Sequence, residues 1–273
     1  MVKMDYAMKN YPGKNFSESF DKKVKNLPEH IFLSGHFLKE ISIFDNIYIE
    51  ISGGYHSTIT VILFYELGYK NIGLIHNNTK LQYSECLDNI QKLIYLTDYS
   101  LLFKNPNLKK KSMNLIMKES FQNIEKAKLH LKNYRDYFNC CKILKQTRNH
   151  KWNNDFLLDN SIIISSLIPY ESYNRQMRLF ELKKKDTYIR FHKKQNIFKG
   201  YPYRDLLIGN RIYSRKIYDK LFENKLKEYN LNIIHSGCKI CPIRILFPIM
   251  LNNNDCSIKY NKIFNSKNKI LLG

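Results

Sequence analysis

The chain has no apolar run approaching the roughly 18–20 residues needed to span a bilayer. The stretch Met1 to Phe20 is polar, mixed in charge and without the apolar core of a signal peptide. A membrane partner is therefore not expected, and the cytoplasm is the expected location. There is no internal repeat and no low-complexity linker, which argues against a solenoid or a string of modules. Acidic residues are scarce, with 24 Asp and Glu against 45 Lys and Arg, for a net charge of +21 and a pI near 9.6.

What is present is core-forming material. Of 273 residues, 44% are hydrophobic and 14% aromatic, enough to bury a full core and to exclude disorder over most of the length. The economical division is a helical, polar extension over 1–45, one domain over 46–235, and a cysteine-containing tail over 236–273. The excess of Lys and Arg admits a nucleic-acid partner, a site for small polyanions, or drift in composition. The cysteines are Cys86, Cys140, Cys141, Cys238, Cys241 and Cys256. In a chain this long without a signal peptide they point to thiols used for metal, cluster or redox chemistry rather than a disulfide frame.

The pattern along the chain is that of an α/β fold. A short amphipathic segment around Ile31–Phe44 gives way at Asp45-Asn46. Ile47 to Ile51 is a β-branched run and predicts a buried strand. Ser52-Gly53-Gly54 predicts a turn. Ser57 through Leu67 holds no Gly or Pro and predicts a helix, closed by Gly68. Asn71 to His76 predicts a second strand, and Leu81 to Leu96 a second helix. This βαβα order opens a doubly wound, mostly parallel sheet of about five strands flanked by helices. Residues 97–135 are Lys-rich and helical in pattern, broken early by Pro106. Ser161 to Ile164 predicts a third strand. Helices are predicted over Glu171–Lys184 and Arg211–Tyr229. Between them, 186–205 predicts a basic, aromatic loop whose Tyr188, Arg190, Phe191, His192, Tyr201, Tyr203 and Arg204 could stack on bases and hold phosphates. A solvated basic loop over an apolar stripe fits the same residues.

The strand-to-helix turn carries the first candidate site. Backbone N–H groups at a helix N-terminus, with the helix dipole, form an anion site. Gly53 and Gly54 allow close backbone approach, and Ser52, Ser57 and Thr58 add hydroxyls. An ordinary βα turn has the same composition.

Ser52-Gly53-Gly54-Tyr55-His56-Ser57-Thr58 resembles the SGGxDS/T motif of the PP-loop pyrophosphatase superfamily. Four further blocks, in order, resemble its phosphoadenosine-phosphosulfate-reductase branch. Asn78-Thr79 is similar to a D-T-G segment, Cys140-Cys141-Lys142-Ile143-Leu144-Lys145 to CC-x-x-x-K, Glu171-Ser172-Tyr173-Asn174-Arg175 to ES-x-x-R, and Gly237-Cys238-Lys239-Ile240-Cys241-Pro242 to GC-x-x-CP. The resemblance implies a PP-loop/HUP fold, in which Ser52, Gly53, Gly54, His56, Ser57, Thr58, Thr79, Lys145, Glu171, Ser172 and Arg175 bind an adenine nucleotide, ATP or adenylyl sulfate. It also implies a magnesium ion and a thioredoxin-like reductant as partners. Arg175 suits a sulfate or phosphate as a bidentate donor; on a helix surface it would equally pair with Glu171 at i,i+4.

The same resemblance implies that Cys140, Cys141, Cys238 and Cys241 hold a 4Fe–4S cluster. Thiolates suit iron–sulfur or zinc, and adjacent cysteines sit awkwardly on a single tetrahedral zinc. A redox disulfide and simple buried thiols remain alternatives. Cys256 lies where the family's reductases carry a nucleophilic cysteine, but in the context Asp255-Cys256-Ser257 rather than ECG-x-H. Cys86 reads as core. Three departures bear on catalysis: His56 replaces the motif aspartate, Lys80 replaces the glycine of D-T-G, and Ile168 stands where an arginine is common. The functions left open are sulfonucleotide reduction, sulfur transfer to tRNA or DNA through an adenylated intermediate, and nucleotide or nucleic-acid binding without turnover.

Overall fold

The computed structural model describes residues 33–105, 112–129, 138, 140, 152, 155–168, 173–206 and 211–234. By internal contacts the chain divides into two units. One comprises 1–76, 84–102 and 150–236; the other comprises 77–83, 103–149 and 237–273.

In chain order the elements are α1 (Gly35–Ile41), β1 (Asn46–Ile51), α2 (Tyr55–Glu66), β2 (Gly73–Asn77), α3 (Ser84–Thr97), β3 (Ser100–Lys104), α4 (Met113–Gln122), α5 (Ile124–Leu129), β4 (Ser161–Ile164), α6 (Tyr173–Lys184), β5 (Ile189–His192), β6 (Ile197–Gly200) and α7 (Arg211–Glu228). The strands form one sheet in the order β3-β2-β1-β4-β6-β5. β1 pairs in parallel with β2 and β4, β4 pairs in parallel with β6, and β5 runs antiparallel on the edge. The α/β class and the mostly parallel sheet are thus as the residue pattern predicts.

The core follows from alternation along the strands. Ile49 and Ile51 of β1 enter one core with Leu74, Ile162 and Ile164, covered by Ile59 and Ile62 of α2, Leu93 of α3 and Phe222 of α7. Tyr48 enters a second core with Ile75, Ile163 and Ile197. Helix α2 is buried on every side from Tyr55 to Phe64, as an almost wholly uncharged sequence requires. It ends in a Schellman motif. The Gly68 N–H donates to Tyr65 O at 2.9 Å and the Tyr69 N–H to Phe64 O at 3.1 Å, with Gly68 at φ +76°. In the second unit, Ser112 caps α4 by accepting from the Leu115 N–H at 3.2 Å.

Two expectations fail. The helical pattern of 97–135 hides a strand, since Ser100–Lys104 forms β3. Residues 186–205 are not a loop: they fold into β5 and β6, which makes the sheet six-stranded. In both places lysines and arginines interrupt the apolar alternation, because an edge strand and a strand with one half-exposed face need little of it.

The topology also fixes where a ligand can enter. The chain runs from β1 outward to β2 and β3, then returns to β4 on the other flank of β1. The winding direction reverses between β1 and β4. The crevice outside the carboxyl ends of those two strands is where open α/β sheets bind ligands.

Candidate functional site

The turn after β1 lies at that crevice. Gly53 sits at φ +71°. An added Cβ would come within 2.8 Å of the Cys86 Cα and would overlap the Cys86 carbonyl, so α3 approaches too closely for any side chain. The carbonyl of Gly53 accepts from Nδ2 of the buried Asn89 at 2.9 Å. Asn89 also binds Asn232, donating to its carbonyl at 2.9 Å and accepting from its N–H at 2.8 Å. The turn is thus tied to α3 and to the irregular 231–234 segment. There Ile234 O accepts the Tyr55 N–H at 2.9 Å.

Inside the turn the two serines bond to each other. Ser57 Oγ donates to Gly54 O at 3.0 Å and accepts from the Ser52 N–H at 3.1 Å. Its only proton is committed, so in the Ser52–Ser57 hydroxyl contact at 3.0 Å Ser52 is the donor. Ser52 Oγ in turn accepts from the Gly54 N–H at 3.4 Å. The serine protons therefore hold the loop closed.

This closure strands the next hydroxyl. A helical threonine ordinarily donates to the carbonyl four residues back. For Thr58 that is Gly54 O, which already accepts from Ser57 Oγ and from the Thr58 N–H at 3.1 Å. Thr58 Oγ1 is fully buried and has no hydrogen-bond partner among the described residues. An unsatisfied buried hydroxyl costs about 1–3 kcal/mol. One turn on, Thr60 behaves normally. Its Oγ1 donates to His56 O at 3.0 Å and contacts Ser166 Oγ at 2.7 Å and the Tyr203 hydroxyl at 2.8 Å. Burial raises the Tyr203 phenol's pKa. Ser166 follows β4, so this hydroxyl cluster bridges the two strands at the switch point.

His56 is not a surface residue. Its ring is 3.9 Å from that of Tyr55 and 5.4 Å from that of Phe222 on α7, and it is 9% exposed. At the end of β2, His76 is buried and its Nδ1 lies 3.0 Å from Ile51 O. A carbonyl only accepts, so Nδ1 carries the proton. Burial lowers the pKa of this imidazole and favours the neutral ring. His76 fixes the last peptide of β1 before the turn. Sequence patterns missed it, because a lone histidine ending a strand carries no motif.

In the second unit, Thr79 is buried, its N–H donating to Asn77 O at 3.0 Å and its Oγ1 accepting from the Leu81 N–H at 3.4 Å. Lys80 takes φ +55°, the left-handed conformation suited to the glycine of D-T-G. Arg175 lies on α6, half-buried, its pKa lowered by burial and by Arg178. Cys140 is buried, as is Cys86. Lys145, Glu171, Ser172, Cys141, Cys238, Cys241 and Cys256 lie outside the described residues. Among the described residues no three metal-ligating side chains converge.

Of the aromatic and basic segment, Phe191 and Arg190 are exposed, but its tyrosines and Arg204 are not. Tyr188, Tyr201, Tyr203 and Arg204 are buried. Arg204 lies 3.6 Å over the Tyr188 ring and binds Asp205 through Nε at 3.0 Å and through a terminal nitrogen at 3.2 Å. The Tyr188 hydroxyl donates to Asp205 and accepts from Ser34 Oγ at 2.7 Å. These side chains tie α1 to the hairpin. A ring between sheet and helix has no face left for a base.

No protein-family model matches the chain, and no curated protein matches it. Solved structures do. Phosphoadenylyl-sulfate reductase from Candida auris, in a phosphate complex, aligns with 84% of this chain and 98% of its own at 13% identity and a TM-score of 0.45. The U34-tRNA thiolase NcsA from Methanococcus maripaludis, with its [4Fe-4S] cluster, aligns with 99% of this chain and 84% of its own at 13% identity and a TM-score of 0.46. NMN synthetase from Francisella tularensis aligns with 82% of this chain and all of its own at 11% identity and a TM-score of 0.29. None of the three assigns a role to any residue here.

Proposed function

We propose that the chain is a PP-loop protein of the phosphoadenosine-phosphosulfate-reductase type that binds an adenine nucleotide at the Ser52–Thr58 turn. The observation that carries the reading is Thr58. Its buried hydroxyl has no partner among the described residues, in the first turn of the helix that opens the β1–β4 crevice. A phosphate oxygen brought to the turn would satisfy that hydroxyl. The ordered blocks from Ser52 to Cys241 support the family, and Lys80 in a glycine-like conformation supports the D-T-G correspondence.

The test is calorimetry with ATP, adenylyl sulfate and phosphoadenylyl sulfate, repeated on Thr58→Val. The wild type binds at least one nucleotide, and the variant binds it at least about tenfold more weakly while melting no lower, since it loses only an unsatisfied group. Absence of heat with all three nucleotides would remove the reading.

The sulfur chemistry is proposed on the four-thiol set. Cys140, Cys141, Cys238 and Cys241 would hold a 4Fe–4S cluster, and Cys256 would be the thiol nearest a reductase role. Anaerobic purification then gives a brown protein with a broad band near 400 nm, about as expected for such a cluster. A colourless preparation rules this part out. A second reading, binding without turnover, is favoured by His56. The position that carries the motif carboxylate is occupied by a ring packed against Tyr55 and Phe222.

A further inference from the structure

The face of the sheet opposite α2 carries a cluster that the nucleotide reading does not use. The β1–β4–β6 register places Tyr48, Ile163 and Lys199 in one row, with Glu50 one step beyond on the same face. Lys199 Nζ reaches Glu50 Oε1 at 2.7 Å, with only 12% of the lysine side chain exposed. Arg190 of β5 pairs with Lys199 in the ladder and meets Glu181 of α6 at 3.3 Å. Arg178 lies one helical turn before Glu181 on α6, close enough to the Tyr201 hydroxyl to oppose the burial that raises its pKa. Arg175 lies one turn earlier still, close enough for Arg178 to lower its pKa. Four cations therefore share this face with two carboxylates.

The Tyr201 hydroxyl lies 2.8 Å from His192 Nε2. The pKa of His192 is pushed down to about 4. Burial is the main cause, followed by Lys199, Arg190 and Arg178, with Glu50 opposing. Among the described residues Arg178 makes no ion pair with a carboxylate. Like charges gathered on one partly dry face favour a counter-anion.

We propose that Arg178, Lys199, Tyr201 and His192 form a second oxyanion subsite, on the α6 face of the sheet, for a tetrahedral phosphate or sulfate group. Arg178 supplies the charge-assisted hydrogen bonds. Lys199 adds a charge that its bond to Glu50 only partly cancels. His192 gains a proton as the anion arrives, since a neighbouring negative charge favours the imidazolium. This goes beyond the adenine-nucleotide reading and does not depend on it.

The experiment is NMR titration of the histidine rings of the full chain in chloride, phosphate and sulfate at matched ionic strength. His192 is assigned by the His192→Gln variant. The expected result is a His192 midpoint at least about one pH unit higher in phosphate and sulfate than in chloride. Arg178 is exposed, so Arg178→Gln leaves the fold intact; it should abolish that shift and weaken phosphate binding at least about tenfold. Lys199→Gln should reduce both effects. An equal midpoint in all three salts, or a shift that survives Arg178→Gln, overturns the proposal. Repeating the titration with saturating ATP separates the sources of the oxyanion. A phosphate-dependent shift that persists supports a distinct subsite. Loss of the shift, with ATP itself moving His192, makes the cluster part of the nucleotide's own phosphate site and overturns it. If ATP gives no heat while phosphate still moves His192, the nucleotide reading fails and the subsite stands.

Discussion

The Ser52–Thr58 turn and the β5–β6 hairpin belong to one sheet, and they are held in different ways. Within the turn the serine bonds join residues at most five apart, while Asn89 and Ile234 anchor it from outside. The hairpin is closed by partners remote in sequence. Ser34 reaches Tyr188 across 154 positions, Glu50 reaches Lys199 across 149, and Thr60 reaches Tyr203 across 143. A locally bonded loop can leave one group unsatisfied at a defined point, as at Thr58. A network of remote partners gives rigidity and takes Tyr188, Tyr201 and Tyr203 out of reach of solvent, while Phe191 and Phe198 stay exposed.

The comparison can be broken from either side. The largest effect is expected at Gly53→Ala, which combines a left-handed φ with a Cβ overlapping the Cys86 backbone. A loss of about 3–4 kcal/mol, read as a fall in the urea midpoint together with lost nucleotide binding, is the expected outcome. Wild-type stability in this variant would show that α3 does not clamp the turn. Asn89→Leu comes next, at about 2–3 kcal/mol, because it leaves the Gly53 and Asn232 carbonyls and the Asn232 N–H without their partner. Tyr188→Phe should cost about 1–2 kcal/mol in the hairpin while leaving the nucleotide Kd unchanged. A matching loss of affinity would show that the two regions are one mechanical unit.

Acid should separate them further. His192 takes up its proton near 6.5 when unfolded and near 4 when folded, so the unfolded state binds more protons between those values. The stability that a neutral His192 contributes is complete above pH 6.5 and is lost as pH falls toward 4. His76 acts in the same direction through its lowered pKa. Melting temperature followed from pH 7 to about pH 4.5 should therefore decline, and His192→Gln should flatten part of the slope. An unchanged slope would place the pH sensitivity elsewhere. The smallest effect is Lys80→Gly, which relieves a left-handed lysine and should stabilise by about 0.5–1 kcal/mol, visible in a thermal melt.

Much of the turn was legible in residues 46–68. A β-branched run, paired glycines, an uncharged helix and Gly68 announce strand, turn, helix and stop, because each rests on bonds within a few residues. The hairpin was illegible for the converse reason. Its strands alternate basic and aromatic residues, and nothing local says whether a tyrosine faces water or a helix. The buried state of Tyr201, Tyr203 and Arg204 was misread, and the pairing of His56 with Phe222 was not foreseen.

The sequence by itself determined the α/β class, the position of the glycine turn and the order of the motif blocks, since periodicity and backbone freedom are local properties. The tertiary structure alone decided that β1 and β4 flank the switch point. It alone turned His56 into an aromatic cluster, set Arg178, Lys199 and His192 on one face, and buried the tyrosines of the hairpin. Those outcomes depend on which remote segments share a dry interior, where an unpaired polar group is costly and a paired one is held.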